Sequence, residues 1–158
     1  MEDNKNLKVL SIEKQEEIGQ AVKKMIKEAP FYHGEKIQLY DLENGGLGIF
    51  PTAGSTYVKR YVSGSFLGRY AFYLRSRILP GADLDKVHAQ AYLGALASWL
   101  EGKPIEHKGQ TYRLQMPELT GGRKIQTVER TSAVNVSAVF QDGSMDFQVL
   151  INLDYFKK

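Results

Sequence analysis

Residues 65–79, SFLGRYAFYLRSRIL, alternate apolar and cationic positions. In steps of two, Phe66, Tyr70, Phe72, Leu74 and Ile78 fall on one side, and Arg69, Tyr73, Arg75 and Arg77 on the other. A strand sends successive side chains to opposite faces, so the pattern predicts a strand with one apolar and one cationic face. At ~3.3 Å per residue a strand of this length spans about 40 Å, far beyond the usual five or six residues. It is expected to bend, at Gly68, or to project beyond its domain.

The remaining patterning supplies the other elements. SIEKQEEIGQAVKKMIKEAP repeats apolar residues at intervals of three and four: Ile18, Val22, Met25, Ile26 and Ala29. That stripe predicts an amphipathic scaffold helix, started by Ser11, with Glu13, Glu16 and Glu17 near its positive end and Pro30 as its stop. Asn44-Gly45-Gly46, between two short apolar stretches, predicts a hairpin or turn, and Ser63-Gly64-Ser65 predicts another. A second helix follows in PGADLDKVHAQAYLGALASWLEGKP, with Asp83 as N-cap and Leu84, Val87, Ala91, Ala95 and Trp99 as its packing stripe. Residues 103–124, apart from a short strand near Thr111–Leu114, read as a long loop.

The strongest strand signal is AVNVSAVFQDGSMDFQVLINLDYF, a hairpin around Asp142-Gly143. Val134, Val136, Ala138 and Phe140 alternate on its first arm. Met145, Phe147, Val149, Ile151, Leu153 and Tyr155 alternate on the second, with Asp146, Gln148, Asn152 and Asp154 on the opposite side. The order of elements predicts an α+β fold, a largely antiparallel sheet with two helices packed on one face. At 158 residues one domain is expected, with residues 1–10 flexible.

Charge sharpens this picture. The net charge is only +3, yet residues 57–77 hold Lys59, Arg60, Arg69, Arg75 and Arg77 and no acid. The remaining 16 of the 21 Lys and Arg stand against 18 acids, so the basic character belongs to one face. Three readings of that face stay open. Asp146 and Asp154 can neutralise it across neighbouring strands. Nucleic acid can bind it, although sheet binders stack bases on aromatics of the exposed face, and here only Tyr73 lies among the arginines. A protein partner can bind it, since Arg and Tyr are common interface anchors.

Catalytic and metal chemistry find little footing. The chain has no Cys, and His33, His88 and His107 stand in no metal-ligand spacing. No G-x-S-x-G occurs, and ENGGLG lacks the Lys-Ser/Thr of a phosphate loop. The expectation is a protein that is not an enzyme, with no cofactor and no metal. The polar opening MEDNKNLK and the lack of any ~20-residue apolar run predict a soluble, intracellular protein with no membrane partner.

The arginine-rich strand, the helix opened by PGADLDKV, the segment PELTGGRKIQTVERTS, the FQDGS turn and the closing DFQVLINLDYF come in an order that carries a resemblance. Over most of its length the chain resembles the minor capsid or tail-terminator-like proteins of tailed phages and prophages of Gram-positive bacteria. The resemblance implies a structural virion protein made in the bacterial host cytoplasm. Its subunits would form a ring, usually a hexamer, that caps the tail tube and joins it to the head connector. It further implies that Lys59, Arg60, Arg69, Tyr73, Arg75 and Arg77 face a neighbouring subunit or tail partner, with DNA contact possible but not favoured. Some relatives carry a chloramphenicol-resistance label, but no histidine here has the H-H-x-x-x-D-G setting of acetyl transfer.

Overall fold

Two thirteen-residue strands, Phe66–Ile78 and Met145–Lys157, run antiparallel at the centre of a seven-stranded sheet and pair along their whole lengths. The computed structural model describes residues 17–52, 57–79 and 83–158, with the side chains of 83–85 excepted. In chain order the strands are β1 (Ile37–Leu39), β2 (Leu47–Pro51), β3 (Tyr57–Arg60), β4 (Phe66–Ile78), β5 (Ile105–His107), β6 (Gln110–Tyr112), β7 (Arg123–Arg130), β8 (Asn135–Val139) and β9 (Met145–Lys157). Helix α1 covers residues 17–27, and α2 covers Asp83–Leu100. Residues 1–10, Ser11, Glu13 and Glu16 lie outside the described residues, as does the side chain of Asp83.

The fold is α+β, with a largely antiparallel sheet. Shorter strands flank the central pair end to end. β2 and β3 share the outer edge of β4, β7 and β8 share that of β9, and β1 adds beyond β2. The alternation in β4 and β9 divides the sheet into two faces as expected. Tyr70, Phe72 and Leu74 of β4 and Phe147, Val149, Ile151, Leu153 and Tyr155 of β9 are buried in one core with both helices. All five apolar residues of the α1 stripe are buried there too, and Trp99 of α2 donates its indole N–H to the Met25 carbonyl at 2.8 Å.

Several expectations need correction. β4 stays in register with β9 along all thirteen residues, so Gly68 opens no break in that pairing. The register shifts beside it lie in the flanking strands, between Tyr57 and Lys59 and between Ile125 and Thr127. Gly68 serves the packing instead: a Cβ there would lie 2.5 Å from Cζ of Tyr155, so the glycine makes room for that ring. Asn44-Gly45-Gly46 does form a turn, but β1 and β2 run parallel, so it closes no hairpin. Parallel neighbours usually need a crossover of a dozen or more residues. Here Tyr40, at φ +62°, reverses the chain at once, and the turn is fastened to β4 by the Gly45 N–H donating to the Arg77 carbonyl at 2.9 Å.

The stripe on α2 is also shifted. Of the expected stripe Trp99 is buried and Ala95 half-buried, Val87 and Ala91 are exposed, and the side chain of Leu84 lies outside the described residues. Leu93, Leu96, Ala97 and Leu100, by contrast, are buried. Leucine buries far more apolar area than alanine, so the leucines set the rotation of the helix. In β8 a bulge between Val136 and Ala138 breaks the expected alternation, leaving Val136 beside Phe147 but Ala138 beside Asp146. Residues 103–124 are less loop-like than expected. They contain the β5–β6 hairpin, turned through Lys108 and Gly109 at positive φ, and they bury Leu114 and Leu119 in the core.

Candidate functional site: the open face of the sheet

The helices cover one side of the sheet, so its other side is where the chain presents a broad arranged surface. Register fixes what stands there. Across β4 and β9, Arg69 opposes Asp154, Ala71 opposes Asn152, Tyr73 opposes Leu150, Arg75 opposes Gln148 and Arg77 opposes Asp146. The cationic side of β4 therefore meets the polar side of β9, residue against residue.

Two of the three arginines are consumed by this pairing. Arg69 forks onto Asp154, with Nε 2.8 Å from Oδ1 and Nη2 3.1 Å from Oδ2. Arg77 does the same to Asp146 at 2.8 and 3.0 Å, and it adds a bond to the Leu42 carbonyl. Planar two-point contacts of this kind are the strongest ion pairs a surface offers. Hydrogen bonding to Asp146 and to Asp154 raises the pKa of each guanidinium above its ordinary value, against the opposing effect of burial. The intramolecular reading of these two residues is what the geometry shows.

Arg75 differs. Its Nε donates to the Gln148 side-chain oxygen at 3.1 Å, so a neutral amide stands where its neighbours have a carboxylate. Its guanidinium lies 4.7 Å from the Phe50 ring centre and 5.1 Å from that of Tyr73. Phe50, Tyr73 and Leu150 are in register on three adjacent strands, all half-buried, and form an apolar bar across the open face. A cavity of about 300 Å³ beside Arg75 is lined by Tyr40, Asp41, Leu42, Phe50, Arg77 and Asp146.

Lys59 and Arg60 stand apart from this bar, on the exposed strand β3. Lys59 lies 5.2 Å from the Tyr61 ring centre, and Arg60 lies 4.0 Å from that of Tyr57. The six residues singled out from the sequence thus divide into a neutralised pair (Arg69, Arg77), an aromatic-stacked pair (Tyr73, Arg75) and an exposed basic pair at one end. Phe50 and Leu150 escaped the sequence reading. The signal for Leu150 was present, since the run Val149-Leu150-Ile151 places an apolar residue on the otherwise polar side of β9.

Two histidines do come together on the other side. His33 stacks flat on Tyr92 at 4.0 Å, and with His88 and Glu35 it lines a cavity of about 240 Å³. The Tyr92 hydroxyl donates to Glu35 Oε1 at 2.5 Å, and burial together with that carboxylate raises the Tyr92 pKa. Among the described residues no group of three or more His, Cys, Asp or Glu is placed to hold a metal ion. No helix among them is long and apolar enough to cross a membrane. No protein-family model matches the chain, and a search of curated proteins finds no match.

Proposed function

We propose that the chain is a structural assembly protein of the tail-terminator kind, joining copies of itself into a ring that caps a phage tail tube and meets the head connector. The sequence resemblance supplies the class. The observation that carries the reading is the Phe50–Tyr73–Leu150 bar, flanked by Arg75, on the side of the sheet that no described helix covers. Aromatic side chains and arginine dominate the energetics of protein interfaces, and an arginine without an acidic partner of its own accepts a carboxylate from a neighbour. Arg69 and Arg77 brace β4 to β9 and contribute through the order they impose. In this reading the protein is a virion component, assembled in the bacterial host cytoplasm, and requires neither a cofactor nor catalysis.

The test is the solution mass by light scattering across protein concentration and salt, for the wild type and for Tyr73→Glu with Leu150→Glu. The wild type is expected to reach a defined ring mass and the double variant to remain monomeric with its secondary structure intact. A wild type that stays monomeric at every concentration, or a variant that assembles as well as the wild type, overturns the reading.

A further inference from the structure

With Arg69 and Arg77 neutralised, most of the sheet's remaining cations gather at one end. There, among the described residues, a single acid, Glu118, is bridged opposite Lys124 without closing an ion pair. Register puts Lys59, Leu67, Phe156 and Lys124 in a single row across β3, β4, β9 and β7, all on the open face. In the next row Arg60 and Lys157 stand opposite Phe66 and therefore turn toward the helix side of the sheet, and Lys158 follows at the end of the strand. Lys59, Arg60, Lys124 and Lys158 are exposed, and Lys157 is half-exposed. None of the five forms an ion pair among the described residues, and Asp154, one row inward, is held by Arg69. Only two of these cations lie in the basic run that the sequence displays; the sheet brings the others to them from its far side.

The row also carries aromatic surface. Phe156 stands between the two lysines, and Tyr61, 40% exposed, meets it at a centroid distance of 6.2 Å. Lys59 lies over the Tyr61 ring. The sequence placed the aromatics of β4 on the side away from its cations, which argued against base stacking. At this end the arrangement is the reverse: rings and lysines share one face. Three strand spacings separate Lys59 from Lys124, about 14 Å, with the rings between them.

We propose that this end of the sheet binds single-stranded nucleic acid, the lysines contacting backbone phosphates and Tyr61 and Phe156 offering faces to unstacked bases. Non-specific single-strand sites combine a cationic track with aromatic stacking, and both parts are present here in one row. A duplex keeps its bases stacked and would use only the charges. An acidic protein segment or an anionic lipid surface can also engage rings, but the order of lysine, ring and lysine along one row matches the phosphates and bases of a single strand. The site does not depend on the assembly reading, because its residues lie apart from the Phe50–Tyr73–Leu150 bar.

The experiment is fluorescence anisotropy with a labelled oligothymidylate of about twenty nucleotides, titrated between about 50 and 200 mM salt. Lys59→Glu with Lys124→Glu is expected to weaken binding about tenfold or more. The same variant should flatten the dependence of log affinity on log salt by about 1.4, since each neutralised single-strand phosphate accounts for about 0.7 of that slope. Tyr61→Ala is expected to weaken binding while leaving the slope unchanged. Lys24→Glu with Lys27→Glu, exposed on α1, makes the same change in net charge and should leave binding near the wild type. The proposal is overturned if the wild type does not bind at the lowest salt, or if the α1 variant binds as weakly as the sheet variant. It is overturned equally if a duplex, polyglutamate or anionic phosphatidylglycerol vesicles bind more tightly at matched charge.

Discussion

Replacing Arg77 by Met should destabilise the protein by about 2–3 kcal/mol, and the same change at Arg69 by only about 1 kcal/mol. Both arginines make two-point contacts to an aspartate directly across the β4–β9 ladder, so the geometry of the ion pair does not separate them. The added bond from Arg77 to the Leu42 carbonyl, at 3.3 Å, is a lesser difference. Burial does. The Asp146 side chain is 9% exposed and that of Arg77 27%, against 14% and 38% for Asp154 and Arg69. Breaking a fully buried pair from one side costs about 3–5 kcal/mol, because the abandoned charge cannot reach water, whereas exposed pairs contribute about 0–1 kcal/mol. The Arg77 pair lies nearer the first limit and the Arg69 pair nearer the second. Methionine retains most of the aliphatic stem but loses the guanidinium's contact with the Phe140 ring, 4.8 Å from its centre, so a double-mutant cycle is needed to isolate the charge pair.

Urea unfolding at one fixed protein concentration measures this directly, since any assembly would move the midpoint with concentration. The cycle is completed by Asp146→Leu alone and by Arg77→Met with Asp146→Leu, and the double variant should recover much of the stability that each single variant lacks. Equal costs at Arg69 and Arg77, or a coupling near zero between Arg77 and Asp146, would falsify the argument that β4's arginines serve chiefly to bind β9.

Three other outcomes follow from the packing. Gly68→Ala should cost about 1–3 kcal/mol by forcing the Tyr155 ring aside, even though alanine suits a strand better than glycine; an unchanged urea midpoint would contradict that. Gly94→Ala should stabilise by up to about 1 kcal/mol, since the new methyl meets Val134 Cγ2 at an ordinary 3.8 Å and α2 gains propensity; a lower thermal midpoint would show hidden crowding. Acid should weaken the fold through Glu17 and Glu101. Burial alone would raise both pKa values, but hydrogen bonds from Thr120 and the charge of Arg123 outweigh it at Glu17, as the Arg130 N–H and Lys103 do at Glu101. Both carboxyls thus titrate below their ordinary 4.5, and the stability they give is complete above that pH and lost as pH falls through the lower, folded values. Glu17→Gln with Glu101→Gln should flatten the decline below pH 4.5, and an identical pH profile in the variant would refute the assignment.

The elements that were legible in the sequence are those whose side chains alternate against a single environment. α1 and β9 each bury one unbroken stripe, so periodicity alone revealed them. β4 was legible for the same reason, but its partners were not, because pairing depends on which distant strand lies beside it. The α2 stripe was misjudged where alanines offered two phases and leucine volume decided between them. β7, whose RKIQTVER mixes charge with only two buried apolar residues, and the short β5–β6 pair carried too little pattern to stand out. The parallel β1–β2 pair defeated local reasoning outright: an NGG turn between two apolar stretches reads as a hairpin, and the left-handed Tyr40 that redirects the chain leaves no sequence mark.

The same distinction separates the visible from the hidden parts of the candidate sites. A run of cations along one strand is conspicuous in a sequence, yet on a sheet its charge is set by the strand alongside. β9 carries an acid opposite Arg69 and another opposite Arg77, and so removes most of the field that the run of residues 57–77 suggests. What survives is Arg75 in the middle of the face, set against an amide, and the terminal row, where Lys59 and Lys124 flank Leu67 and Phe156 and Glu118 stands across from Lys124 without closing an ion pair. A partner drawn by charge is therefore directed to the middle or to the end of the sheet rather than along the whole arginine stripe. The middle offers one cation on an apolar bar, suited to a folded surface. The end offers cations around the exposed Tyr61 ring and the half-buried Phe156 ring, suited to a flexible polyanion, so substitutions at the two places should separate the two activities.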